Sequence, residues 1–226
     1  KTGPWQVCLS GIIDTQAVNN QYYLDRQSSF SVFHQKLGLI ITGANSKHQP
    51  ELATFSEKLQ GQVYDVPLSS RLQMSDERDQ LSLAYNTFFS DLYVPAPSGR
   101  QMTFRFVIAG KGNPAEEAQL TLQLCLKAGE ELETAAGKKI VLGAEHIELG
   151  PAELGGWIRH HGWTLKIDPT ATLVWPAYPY NPYAAAPEKE LEHAVGALSV
   201  PLRLKSKPGH FIRPREQEIA FTLSTN

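Results

Sequence analysis

Gln119-Leu120-Thr121-Leu122-Gln123-Leu124-Cys125-Leu126-Lys127 is the stretch that decides the fold class. Leucine takes every second position, and Thr121, Gln123, Cys125 and Lys127 take the positions between. Side chains of an extended strand point alternately to its two faces, so this run predicts a strand with one buried face. A helix has a period of about 3.6 residues and would scatter the same leucines around its circumference. The alternation recurs in both directions along the chain. Met102, Phe104, Phe106 and Ile108 are separated by Thr103 and Arg105, and Ile219, Phe221 and Leu223 repeat the pattern. So do Leu81, Leu83 and Tyr85, then Trp163, Leu165 and Ile167, then Val200, Leu202 and Leu204. Nearer the N-terminus Trp5, Val7 and Leu9 alternate, followed by strand-like runs at residues 22–24, 30–34 and 39–42.

Glycine and proline punctuate these runs, among them Gly38, Gly43, Pro95, Gly110, Gly129, Gly143 and Gly150. Short strands at this cadence point to a sandwich rather than to βαβ units. A dozen or more strands exceed what a small immunoglobulin-like sandwich uses. The expected fold is all-β: a large two-sheet antiparallel β-sandwich, a supersandwich, with at most one or two short helices. Two segments carry helical spacing. Residues 50–59 place Leu52, Phe55 and Leu59 on one face with Pro50 in the first turn. Residues 188–198 place Leu191, Ala194, Val195 and Leu198 likewise, although Gly196 weakens that helix. No internal repeat is present, and strands resume after the Pro-rich stretch, so residues 1–226 are expected to form a single β-sandwich domain.

Composition narrows the function classes. With 21 Lys plus Arg against 23 Asp plus Glu and no long run of either sign, the chain lacks the basic face that nucleic acid requires. Phe104 and Phe106 flank Arg105 because a strand alternates, not as a nucleotide-stacking motif. No stretch approaches the ~20 apolar residues that span a bilayer, so no membrane partner is expected. The sequence starts Lys1-Thr2-Gly3-Pro4, without an initiator Met or signal-peptide core. This fits a mature secreted protein or a domain excised from a longer one, and favours a periplasmic or extracellular location over a cytoplasmic one. Cys8 and Cys125 would pair only if their strands are neighbours; otherwise both are free thiols.

Metal and nucleotide motifs are absent: there is no HExxH, no CxxC, no GxSxG and no glycine-rich dinucleotide turn, and no cofactor or metal is expected. What stands out is Trp175-Pro176-Ala177-Tyr178-Pro179-Tyr180-Asn181-Pro182-Tyr183, four aromatics and three prolines in nine residues. Proline stiffens an extended backbone, so aromatic faces are displayed at little entropic cost. Such faces suit sugar rings, and Asn181 can bond hydroxyls. Alternatively, the tyrosines pack on the sandwich edge with their hydroxyls in water. Arg159-His160-His161-Gly162-Trp163 is the densest cationic cluster. In a strand His160 and His161 face opposite ways, which disfavours joint metal chelation. One of them remains available for proton transfer beside Arg159, or both simply sit in a turn. Residues 43–50 form a polar loop without phosphate-loop spacing, suited to helix capping. Asp25, Arg26 and His34 fall on neighbouring strand-like runs, as a charged strip or a surface ion pair.

Tyr22-Tyr23-Leu24-Asp25-Arg26-Gln27-Ser28-Ser29-Phe30-Ser31-Val32-Phe33-His34-Gln35-Lys36-Leu37-Gly38-Leu39-Ile40-Ile41 resembles the opening of the C-terminal β domain of heparinase II/III-like polysaccharide lyases. Gly162-Trp163 and Leu173-Val174-Trp175-Pro176 fit the later strand order of that supersandwich, which the family shares with galactose-mutarotase-like domains. The resemblance implies a separate α/α-toroid domain that supplies much of an active cleft. Asp25-Arg26-Gln27 stands where the family commonly carries a His-Asp pair, so no catalytic residue is carried over.

The function expected is therefore an accessory, carbohydrate-contacting β-sandwich of a larger polysaccharide-processing protein. Trp175, Tyr178, Tyr180, Asn181 and Tyr183 are the candidate contacts with polysaccharide or oligosaccharide, and Arg159, His160 and His161 the second cluster. Two alternatives stay open. One is a stand-alone lyase or epimerase on a sugar acid, with His160, His161, His34 or a tyrosine as base and Arg159 or Arg26 holding the carboxylate. The other is a purely structural or protein-binding sandwich.

Overall fold

Eighteen strands carry the chain through a computed structural model, which describes residues 3–11, 29–43, 49–97, 99–111, 115–180, 189–204 and 216–225. The first nine are β1 (Trp5–Ser10), β2 (Ser29–His34), β3 (Gly38–Thr42), β4 (Phe55–Leu59), β5 (Gln62–Tyr64), β6 (Ser69–Gln73), β7 (Arg78–Ala84), β8 (Phe88–Pro95) and β9 (Gln101–Gly110). There follow β10 (Glu117–Leu124), β11 (Glu131–Thr134), β12 (Lys139–Val141), β13 (Ile147–Leu149), β14 (Trp157–His160), β15 (Trp163–Lys166), β16 (Thr172–Ala177), β17 (Val195–Pro201) and β18 (Glu216–Thr225). A single helical turn, α1 (Pro151–Leu154), links β13 to β14.

The strands form two nine-stranded sheets. In the first the order is β1-β2-β3-β10-β17-β16-β13, with β4 paired to β10 and β5 to β4. In the second it is β12-β11-β14-β15-β18-β9-β8-β7-β6. Neighbouring strands run antiparallel, as in β10 on β17 and β18 on β9. This is the two-sheet sandwich expected from the alternating sequence, and no helix among the described residues is long and apolar enough to cross a membrane.

One apolar core fills the space between the sheets. Leu120, Leu122, Leu124 and Leu126 all point into it, as do Met102, Phe104, Phe106 and Ile108 from β9 and Ile219, Phe221 and Leu223 from β18. Phe104 stacks on Phe221 at 5.1 Å between ring centroids, and Phe30 lies 4.6 Å from Phe104. Each such ring taken from water contributes roughly 2–3 kcal/mol, so these cross-strand aromatics bind the layers together.

Both expected helices give way to strands. Residues 50–59 form a short 3-10 turn, Pro50–Leu52, followed by β4, whose Phe55 and Ser56 pair with Leu120 and Gln119 of β10. Residues 188–198 form a 3-10 turn at Leu191–His193 and then β17. Helical spacing in these segments is the sum of a turn and a strand start. At Gly196 a side chain would sit 2.5 Å from Leu126 Cδ1, so glycine there serves close strand packing. The strand expected through Leu204 ends at Pro201, while Leu202 and Leu204 pack against the core from outside the ladder. Cys8 and Cys125 are both free, and β2 and β3 lie between their strands. Burial pushes the Cys125 thiol up to about 11. The run at residues 22–24, Asp25 and Arg26 lie outside the described residues.

Candidate functional site

In β16 the alternation runs through the aromatic-rich stretch and sorts its members. Leu173 and Trp175 take the inward positions. Trp175 is 1% exposed and its indole N–H donates to the Gly143 carbonyl at 2.9 Å. Its expected place on a sugar-stacking surface is thereby corrected: the ring is part of the core. Pro176 offers no N–H to the ladder, and the β16–β17 register breaks between Val174 and Ala177. Beyond that break Tyr178 leans on the core, whereas Tyr180 is 44% exposed. Gln49 ties this stretch to the chain before β4. Its side-chain amide donates to the Tyr178 carbonyl at 2.8 Å, and its carbonyl accepts from the Tyr180 N–H at 2.5 Å. Asn181 and Tyr183 lie outside the described residues.

The histidine cluster sits on the β14–β15 hairpin, where His160 pairs with Trp163. The two residues between, His161 and Gly162, have φ of 41° and 83°. Positive φ at both is the backbone of a primed two-residue hairpin turn, and glycine meets it without strain. The turn separates the imidazoles. His160 is 1% exposed; its Nε2 accepts the Lys127 N–H at 2.8 Å, so Nδ1 carries the proton toward the Glu131 carbonyl at 3.0 Å. Burial holds its pKa below the usual histidine range. His161 stands outside between the Glu130 carboxylate at 2.6 Å and the Lys127 ammonium at 2.5 Å. Arg159 points out on the opposite face from His160, bonded to Glu133 at 2.9 Å and lying 5.1 Å over the Trp157 ring. These three residues therefore do not converge on one ligand. His34 is also buried, edge-on to Trp5 at 4.6 Å, with its pKa lowered by burial and then by Lys36. Both His34 and His160 are thus enclosed by the protein.

Register assembles a third feature that no single segment announces. On the outer face of the first sheet, Ser56 of β4 lies beside Gln119 of β10, and Ser199 of β17 beside Thr172 of β16. These are the partners, on the opposite face, of core residues Phe55, Leu120, Leu198 and Leu173. With the Pro50–Leu52 turn as one wall they enclose a groove of about 670 Å³. The turn is anchored to the sheet: the Gln123 amide donates to the Leu52 carbonyl at 2.8 Å and the Gln119 amide to the Glu51 carbonyl at 3.4 Å, while Thr121 and Ser199 join β10 to β17 through their hydroxyls at 3.0 Å. The only hint in the sequence is the polar half of each alternating run.

Elsewhere, a cleft of about 530 Å³ lies between β1 and the ends of β7 and β8, with Asp76, Arg78 and Asp79 at its border. Glu190, Glu192 and His193 bring one possible metal-ligand atom each to within 4.8 Å, all at the exposed surface. Exposed carboxylates of this kind are common without an ion.

No protein-family model matches the sequence, and no curated protein matches it. Among solved structures the chain is similar to heparan sulfate lyase HepC from Pedobacter heparinus, with a TM-score of 0.50 and 10% sequence identity. That likeness covers 96% of this chain and 32% of the lyase, so the chain spans about a third of the lyase's length. A mutant of the same lyase gives a TM-score of 0.48 at the same coverage. At this identity the likeness establishes a shared fold, the β-supersandwich, over nearly the whole of this chain.

Proposed function

We propose that this chain is an accessory β-supersandwich domain of a larger polysaccharide-processing protein, and that it contacts glycan. The observation that carries the reading is the coverage of the fold likeness: 96% of this chain against 32% of a polysaccharide lyase. The remainder of the proposed protein would include a catalytic domain, an α/α-toroid by the resemblance set out above. Tyr180, clamped through Gln49, is the contact residue supported among the aromatics, with Tyr178 behind it. Burial of His160 and His34 supports a bracing role over autonomous lyase or epimerase action. The reading goes with a periplasmic or extracellular location, where polymeric glycans are met.

The test has two arms run on the same preparation. Calorimetric titration with neutral and acidic oligosaccharides is expected to give saturable binding, with Kd on the order of 10 μM to 1 mM. Absorbance of unsaturated uronates on incubation with acidic polysaccharides is expected to stay flat. Silence across the whole saccharide panel overturns the glycan contact, and a rising absorbance overturns the accessory role.

A further inference from the structure

We propose that the groove on the outer face of the first sheet binds an uncharged, hydroxyl-rich saccharide segment and rejects sulfated or uronate-rich chains. The proposal rests on the glycan-contacting reading and adds to it a site and a ligand class.

At about 670 Å³ the groove falls within the size range of small-ligand sites. Some of its polar groups already hold partners, Ser199 with Thr121, Gln119 with the Glu51 carbonyl and Glu116 with the Gly61 N–H, and others do not. Ser56 is 6% exposed and lines the groove, and its hydroxyl has no hydrogen-bond partner among the described residues. That hydroxyl is not an enclosed orphan, so it stays open to a group entering the groove, which it can meet as donor or acceptor. Lys58 and Glu117 are directly opposite one another in the β4–β10 register, yet they form no ion pair among the described residues. Thr172 adds another hydroxyl without a partner there. One ammonium, one carboxylate and two hydroxyls therefore converge with their hydrogen-bonding capacity unspent, and a sugar's hydroxyls both donate and accept.

Charge selects among sugars. Glu51, Glu116 and Glu117 line the groove against the single ammonium of Lys58. Glu57 borders the groove but turns its carboxylate inward, to the amides of Asn86 and Thr87. Three carboxylates repel sulfate and carboxylate groups, and a polyanion entering here would lose its water without gaining partners. Neutral sugars suffer no such repulsion, because a carboxylate accepts from two hydroxyls at once. Pro50, Val63, Pro201 and Leu202 supply apolar surface for the C–H faces of the rings.

The experiment is titration of the 15N-labelled chain, followed by amide shifts, with cellohexaose, mannohexaose, chitohexaose and a heparan sulfate hexasaccharide. The expected result is saturable shifts at Ser56, Lys58, Gln119 and Ser199 with at least one neutral hexasaccharide, undiminished in 0.5 M NaCl. Thr172→Trp, which fills the groove from an outward position, is expected to weaken that binding at least tenfold while leaving distant amides in place. The double variant Glu51→Lys, Glu117→Lys is expected to gain heparan sulfate shifts. Groove amides that respond more strongly to heparan sulfate than to any neutral sugar overturn the proposal. Shifts confined to Tyr178 and Tyr180 overturn the groove but keep glycan contact, and silence with all four probes overturns both.

Discussion

The Thr87 hydroxyl donates to the Glu57 carboxylate at 2.5 Å, joining the β7–β8 turn of one sheet to β4 of the other. The same carboxylate takes the backbone N–H groups of Asn86 at 2.8 Å and Thr87 at 3.1 Å. Glu57 is 1% exposed, so a charged side chain inside the sandwich is held entirely by donors from the opposite layer. Beside it Tyr85 and Phe88 stack at 4.7 Å, and the Lys111 ammonium bonds the Tyr85 carbonyl. The turn is thus pinned from three directions.

Glu57→Ala leaves two buried amides and a hydroxyl without an acceptor. The expected loss is about 3 kcal/mol in urea unfolding, because unsatisfied donors cost more than the bond they replace. Glu57→Gln keeps an acceptor and is expected to lose less than half as much. Equal losses for the two variants would show that packing, not hydrogen bonding, holds the turn.

Trp175→Phe removes the indole N–H that reaches Gly143 and leaves a void in the core. A loss on the order of 1–3 kcal/mol is expected, with oligosaccharide affinity unchanged. Tyr180→Ala is expected to do the reverse, sparing stability and weakening any glycan contact made by the exposed ring. Affinity that falls with Trp175 and not with Tyr180 would contradict the assignment.

Acid sensitivity follows from His160. Its folded-state pKa lies below 6.5 because burial opposes the charged form. Between that value and 6.5 the unfolded chain binds the proton and the folded chain does not. The stability is therefore fully present above pH 6.5 and is lost as pH falls below it. His34 acts with the same sign. His160→Gln, which retains an acceptor for the Lys127 N–H, is expected to flatten urea midpoints measured from pH 7.5 to 5.

Asp65 works in the opposite direction. Burial first, and the Glu51 charge second, raise its pKa from 3.8 to about 6. The folded chain holds this proton more tightly, so the contribution is present below pH 3.8 and is lost as pH rises to about 6. Asp65→Asn removes a charge that burial disfavours. A gain on the order of 2–3 kcal/mol is expected at pH 7, fading to nothing below pH 3.8. A variant no more stable than the parent at pH 7 would refute this account.

The sandwich was legible because its strands are amphipathic: the leucines of β10 and the aromatics of β9 point inward as their alternation requires. Segments whose burial does not follow hydrophobicity misled the reading. Residues 50–59 read as a helix because Glu57, a core-side residue of β4, carries a charge and hides the strand period. Trp175 read as a displayed aromatic because its prolines and tyrosines suggested a loop, although Leu173 and Trp175 sit two apart on one strand face. The separation of the two histidines was expected from strand alternation, but it arises because β14 ends at His160 and His161 lies in the turn. The groove was not legible, since Ser56, Gln119, Thr172 and Ser199 meet only through strand register.

The position of β18 bears on how the chain is made. It is the last strand in chain order among the described residues, yet it lies in the middle of its sheet, between β15 and β9. Until Glu216–Thr225 leaves the ribosome, the nascent polypeptide has two unpaired strand borders facing each other across an empty slot, lined by Phe104, Phe106 and Leu165. Such borders recruit foreign strands, and pairings this distant in sequence form slowly. Synthesis should therefore yield no protease-resistant intermediate before this segment emerges, and a chain stalled short of it would be a client for chaperones.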